Sequence, residues 1–194
     1  MTGLILCGGQ SSRMGSDKGL LSASGITWTE NAYNKLASVV SPVAISVNKL
    51  QQQTYAAHFQ VQQLIVDNDQ LTIGGPLHGL LSTHILMPQE DIFLFACDLL
   101  FMETIVFKKL LTQQRLSPGH EALVFTQQQE AEPLCGIYTA TGLAKILTAY
   151  HAGTLGKQSM KHVLETMDTL YTKLPGNWQP YFKNINTRHD LLIV

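Results

Sequence analysis

The chain has 194 residues, 45% of them hydrophobic and 14% charged, with a formal net charge of −1. Those values suit one globular domain spanning residues 1–194 with a sizeable core, and they exclude a disordered chain. They also exclude an overall basic field for a nucleic-acid backbone, so any anion site must be local. The three cysteines, Cys7, Cys97 and Cys135, are widely spaced and odd in number. They form neither a disulfide framework nor a Cys-x-x-Cys zinc pair, and they read as buried free thiols in a reducing cytoplasm. The apolar opening is interrupted too early for a signal peptide, and no stretch is long enough to span a bilayer.

Leu4-Ile5-Leu6-Cys7 reads as a buried strand. It breaks at Gly8-Gly9 into a small polar loop that runs through Arg13-Met14-Gly15 to Asp17-Lys18. Glycines allow close backbone approach, and successive N–H groups in such a loop form a nest for anions. Arg13 and Lys18 add two cations to the same loop, which suits a nucleoside triphosphate. The spacing is neither a Walker A loop nor a dinucleotide fingerprint. The plainer alternative is an ordinary strand-to-helix turn with a serine cap and two solvated cations.

The next elements follow in order. Gly19 to Trp28 reads as a turn or hairpin with Gly25 at its tip, and Glu30 to Val40 has helical spacing closed by Ser41-Pro42. Val43 to Val47 is a strand ending at Asn48, Leu50 to His58 a short helix, and Val61 to Val66 a strand ending at Asp67. Pro76, in Gly74-Gly75-Pro76-Leu77-His78-Gly79, suits the first turn of a helix whose N-terminus favours anions. Asp91 to Ala96 is a strong buried strand leading to Cys97-Asp98. A carboxylate there must emerge at the strand ends, where it can serve as the principal magnesium ligand; a helix cap near Glu103 is the plainer alternative. Thr104 to Arg115 reads as a helix, Ala122 to Phe125 as a strand, and Gln127 to Glu132 as a polar loop. Helices follow over Thr141–Tyr150 and Ser159–Thr166, with Lys157 in the loop between them, and Asn184 and Asn186 alternate along an extended segment. Strands alternating with helices predict an α/β fold with a mostly parallel sheet, and in such sheets ligands bind beyond the carboxyl ends of the strands.

The opening stretch resembles the molybdenum cofactor guanylyltransferase family of nucleotidyltransferases, whose signature reads Leu-Ala-Gly-Gly-x-x-x-Arg-Met-Gly-x-Asp-Lys; Cys7 stands in the Ala position here. Gly75-Pro76-Leu77-His78-Gly79 is similar to the family's Gly-Pro-Leu-Ala-Gly, with His78 in place of a small residue. Cys97-Asp98-Leu99-Leu100-Phe101 is similar to Cys-Asp-x-Pro-Phe without the proline. Glu132-Pro133-Leu134 and Asn184-Ile185-Asn186-Thr187 match later family segments, although Arg188-His189 replaces Pro-Glu.

The resemblance implies a single three-layer αβα domain of Rossmann-like, GT-A-like nucleotidyltransferase fold. It implies a cytoplasmic enzyme that transfers GMP from GTP to the phosphate of molybdopterin or its molybdenum form and releases pyrophosphate. Arg13, Lys18 and Asp98 would be catalytic. Leu6, Cys7, Gly8, Gly9, Lys18, Asn48, Asp67, Gly75, Pro76 and Asp98 would bind the nucleotide, and Asp98 would hold Mg2+, or Mn2+ in its place. Lys157, Asn184 and Asn186 would bind the acceptor, with Glu132 and Lys161 as further candidates. Molybdoenzyme chaperones would be the protein partners; neither nucleic acid nor membrane is expected. For Asn48 an Asx turn and for Asp67 a helix cap are the plainer alternatives. The rival functions are transfer of a cytidylyl or other nucleotidyl group to a different phosphorylated acceptor, and a non-catalytic nucleotide-binding adaptor.

Overall fold

A computed structural model describes residues 1–7, 17–23 and 25–185. Its centre is a seven-stranded sheet in the order β5-β4-β1-β6-β8-β7-β9. The strands are β1 (Thr2–Leu6), β4 (Val43–Val47), β5 (Leu64–Val66), β6 (Ile92–Ala96), β7 (Ala122–Gln127), β8 (Glu130–Tyr138) and β9 (Thr169–Lys173). A small hairpin of β2 (Ser22–Ala23) and β3 (Ile26–Thr27) turns at Gly25, whose φ of 89° suits glycine. β8 runs antiparallel to β6 and β7; the other pairings in the large sheet are parallel.

The central strands are apolar on both sides, because helices cover both sheet faces. Alternation then sorts their side chains between two cores. Ile5, Ile45, Phe93 and Phe95 enter one core with α1 (Trp28–Ala37), α2 (Lys49–Tyr55) and α4 (Thr104–Leu116). Leu4, Leu6, Ile92 and Leu94 enter the other with α3 (Pro76–Leu86), α5 (Ala140–His151) and α6 (Met160–Thr166). In the first core Phe107 meets Phe93 and Phe95 edge-on, with ring centroids 5.4 and 4.9 Å away. This is the expected three-layer α/β architecture. No helix is long and apolar enough to cross a membrane among the described residues.

Three local expectations need correction. The stretch read as a polar loop from Gln127 to Glu132 is a tight hairpin. Only Gln128 and Gln129 lie between β7 and β8, both with positive φ (50° and 70°), and Glu132 sits on a strand. Paired positive φ values are what a two-residue hairpin turn demands, and glutamine gives no sign of them in sequence. Val61 to Val66 divides into a 3-10 turn over Val61–Gln63 and the short β5. Asn184 lies outside any strand, after a 3-10 segment over Gly176–Phe182.

Candidate active site

The parallel strands β1, β4, β5 and β6 deliver Cys7, Asn48, Asp67 and Asp98 to one edge of the sheet. The ladder runs one residue past the strands: the Cys97 N–H donates to the Leu6 carbonyl (3.2 Å) and the Cys7 N–H to the Ser46 carbonyl (3.4 Å). Beyond that rung the chain leaves the sheet and side chains take over.

Lys18 opens a 3-10 turn over Lys18–Leu20 that Asp17 caps by accepting from the Gly19 N–H at 3.0 Å. The Asp17 carboxylate also accepts from Gln51 Nε2 at 2.7 Å and from the Tyr55 hydroxyl at 3.0 Å, both on α2. Gln51 Nε2 further donates to the Cys7 carbonyl at 3.2 Å. One helix therefore ties the far end of the glycine-rich loop to the strand that enters it. Fixing Asp17 fixes the neighbouring Lys18, whose Nζ donates to the Ile185 carbonyl at 3.4 Å. The Ile185 N–H in turn donates to the Asp98 carbonyl at 3.2 Å. The late segment thus connects two of the three candidate catalytic residues, Lys18 and Asp98.

Burial pushes the Asp98 carboxyl above its usual range, and the nearby Lys18 ammonium pulls it back. Its Oδ1 is buried with no hydrogen-bond partner among the described residues. Buried carboxylate oxygens are normally satisfied, so this one, without a partner among the described residues, has room for a further donor or cation. Magnesium fits it. Such an ion takes one or two protein carboxylates and completes its shell with phosphate oxygens and water. No cluster of three or more metal-ligating side chains occurs among the described residues.

Asp67 lies at the end of β5. Its Oδ1 accepts from the Ser46 hydroxyl at 3.1 Å, and His78 Nδ1 stands 3.9 Å from its Oδ2. Burial raises its carboxyl, with His78 and then Ser46 acting in the opposite direction. Gly75, at φ 70°, turns the chain into α3, and Pro76 occupies that helix's first turn. Asn48 caps α2: its side chain accepts from the Gln51 N–H at 3.0 Å, while the Gln51 side chain accepts from the Asn48 N–H.

The remaining assignments are more scattered. Lys157 is exposed in the loop between α5 and α6, and Asn184 is exposed beside Ile185. Lys161 pairs with Glu130 rather than Glu132. Glu132 is partly buried and its carboxyl is raised by burial. Gly8, Gly9, Arg13 and Asn186 lie outside the described residues. Sequence reasoning gave no role to Asp17, Gln51, Tyr55 or Ser46. The available signal for Asp17 was its place directly before Lys18 in the glycine-rich opening; the others are brought in by tertiary contact. A groove of about 670 Å³ lined by Pro88, Gln89, Ala140 and Lys145 lies at the opposite edge of the sheet, away from all of these residues.

The chain is similar to known proteins in sequence and in fold. The molybdenum cofactor biosynthesis bifunctional protein of Synechocystis is 30% identical over 151 residues, covering 78% of this chain; the chain spans 42% of that relative's length. The structure of molybdopterin-guanine dinucleotide biosynthesis protein A from Archaeoglobus fulgidus superposes with a TM-score of 0.81 at 20% identity, covering 100% of this chain and 96% of that one. The 4-diphosphocytidyl-2C-methyl-D-erythritol synthase of Anaerococcus prevotii has a TM-score of 0.69 at 10% identity, covering 99% and 92%. At such identities the structural likenesses show the fold alone. The sequence itself matches the MobA-like NTP transferase domain over residues 3–170, and the chain belongs to that family.

Proposed function

We propose that this chain transfers GMP from GTP to the phosphate of molybdopterin, or of its molybdenum form, and releases pyrophosphate. The observation that carries the proposal is the convergence, at the carboxyl edge of the sheet, of Lys18 and an Asp98 oxygen that has no partner among the described residues, in a chain of this family. An acceptor phosphate oxygen attacks the α-phosphorus, and the bond from that phosphorus to the β-phosphate bridging oxygen breaks. The acceptor phosphate is already ionised at neutral pH, so the fold needs no general base. Its task is positioning and charge neutralisation.

In this reading Leu6, Cys7, Gly8, Gly9, Asn48, Asp67, Gly75 and Pro76 hold the nucleotide. Lys18, fixed through Asp17, and Arg13 neutralise charge on the α-phosphate and the departing pyrophosphate. Asp98 holds Mg2+, which when bound supplies charge stabilisation to the phosphate oxygens. Lys157, Asn184 and Asn186 receive the acceptor. The Asp67 carboxylate suits guanine, whose N1–H and 2-amino group form a donor edge that cytosine and adenine lack.

The test is pyrophosphate release with GTP, CTP or ATP, with and without molybdopterin. Release that requires GTP and acceptor together is expected. Lys18→Ala and Asp98→Ala should each lower the rate by about 10²–10³-fold, the loss seen when one preorganised electrostatic partner is removed. Parental rates in Asp98→Ala would overturn the assignment. CTP turned over in preference to GTP would overturn the choice of base.

A further inference from the structure

His78 stands where the similar family segment carries a small residue, and the structure gives it defined bonding. Its Nε2 lies 2.9 Å from the Asn68 carbonyl oxygen. A carbonyl can only accept, so Nε2 carries a hydrogen. The other ring nitrogen, Nδ1, faces Asp67 Oδ2 at 3.9 Å, an ion-pair distance too long for a direct hydrogen bond. Neutral imidazole therefore turns a lone pair toward the carboxylate, whereas imidazolium turns a proton toward it. The side chains are mostly covered, with 21% of His78 and 16% of Asp67 exposed, so the interaction is only partly screened by water.

The remainder of the pocket holds Asp67 in place. Ser46, 2% exposed, donates to Oδ1. Gly79 leaves room for that hydroxyl: a Cβ at this position would fall 2.2 Å from Ser46 Oγ. Among the described residues few other charges interfere. The strands packed on α3 (β1, β4, β5 and β6) bear no titratable side chain. On α5, Lys145 pairs with Glu121, the Tyr150 hydroxyl bonds Thr72, and His151 packs against the Tyr150 ring. Asp69 pairs with Lys49, and His84, on α3 itself, is buried further along that helix. Among the described residues Asp67 is the one acidic group in ion-pair range of His78.

We infer that His78 is a positioning residue for base recognition: its imidazolium keeps the Asp67 carboxylate ionised and turned toward the donor edge of the base. The inference rests on the reading of Asp67 given under Proposed function. The direction of the pH effect follows. Burial alone favours the protonated carboxyl, which accepts hydrogen bonds poorly and would lose a donor-edged base as pH falls. A positive imidazole ring 3.9 Å away opposes that loss, because its charge favours the ionised carboxylate. Replacing the imidazole with a small side chain removes this compensation.

The experiment is calorimetric titration of GTP with magnesium between pH 5.5 and 8.5 for the parent, His78→Ala, His78→Gln and Asp67→Asn. His78→Ala should bind within about twofold of the parent at pH 8.5 and about three- to tenfold more weakly at pH 6, about 0.5–1 unit in log affinity. His78→Gln keeps a donor for the Asn68 carbonyl but cannot take a charge, and should follow His78→Ala. Asp67→Asn should bind weakly throughout and lose the acid limb. Parental behaviour of His78→Gln at pH 6 would reduce His78 to a packing role and sink the inference. So would a His78→Ala profile that superimposes on the parent's while Asp67→Asn is weakened, which would leave the base reading standing. Parental GTP binding by Asp67→Asn would overturn both.

Discussion

Replacing Gly19 with alanine tests how the loop is anchored. A Cβ at residue 19 would lie 2.1 Å from the Tyr55 hydroxyl and 2.6 Å from Thr29 Oγ1. Tyr55 is fully buried, and its hydroxyl donates to Asp17, so it cannot swing aside without breaking the bond that seats Lys18. Overpacking of this kind costs about 1–3 kcal/mol, and the distances place Gly19→Ala near the upper limit. Tyr55→Phe alone removes one hydrogen bond to a carboxylate, worth about 1.5–3 kcal/mol; Asp17 keeps Gln51 and the Gly19 N–H, which places the loss at the lower end. Independent effects would sum to about 4.5 kcal/mol. They are not independent, because the phenylalanine lacks the atom that clashes. The nearest remaining ring atom stands at 3.3 Å, and Thr29 is left as the main obstacle. The double variant should therefore lose about 1–2 kcal/mol less than the sum, within the usual coupling between touching residues. Urea midpoints at constant m measure this, and in a chain of this length each kcal/mol moves Tm by about 2–4 °C. Additivity within 0.5 kcal/mol would refute the proposed seat of Lys18.

Two further outcomes concern stability. Asp98→Asn should raise Tm at pH 7–8 in the absence of ligand, because a carboxyl whose folded pKa is raised disfavours the folded state once ionised. The gain should disappear below the ordinary aspartate range, near pH 3.8, where both states hold the proton, and a Tm lowered at pH 7 would contradict the reasoning. Gln129→Gly should stabilise the hairpin by up to about 1 kcal/mol by relieving a left-handed backbone, seen as a rise of about 2–4 °C in Tm.

What could be read from the sequence followed from local chemistry. Val43–Val47 matches β4 residue for residue because an apolar run between Pro42 and Asn48 has few other places to go. Pro76 marks the start of α3 because its ring fits only that first turn. β9 was missed because an edge strand of mixed exposure lacks the continuous apolar run of the central strands. The hairpin at Gln128-Gln129 was missed because its backbone conformation is imposed by strand pairing. At the site, Lys18 and Asp98 were legible from the glycine loop and the strand end. The contacts that seat Lys18 were not: Asp17 reaches Gln51 and Tyr55 across 34 and 38 residues of sequence, and no local pattern encodes a contact at that distance.

The carboxylates divide by the sign of their shifts, and the division follows their work. Glu30 and Glu121 are lowered, Glu30 by the Thr27 cap and Glu121 by Lys145 and the Asp168 N–H. Each is supplied by the fold with donors for its ionised form, so each stabilises the fold above its unfolded pKa and loses that contribution as pH falls. Asp67, Asp98 and Glu132 are raised, and in all three burial is the leading cause. Asp67 and Asp98 lie at the strand ends of one edge, and Glu132 lies near the start of antiparallel β8, which brings it toward that edge. Among the described residues the fold sets His78 beside Asp67 and Lys18 beside Asp98 against that burial, and it leaves Asp98 Oδ1 unsatisfied. A side chain kept in such surroundings weakens the empty protein and becomes favourable only when something else supplies the missing donors or positive charge. Ligand that does so should stabilise the chain in proportion to how far it relieves these groups. Magnesium with GTP should therefore raise the parent's Tm by several degrees and Asp98→Asn's by much less, measured side by side at pH 7.5. Equal shifts in the two proteins would mean that the buried edge carboxylates are structural after all.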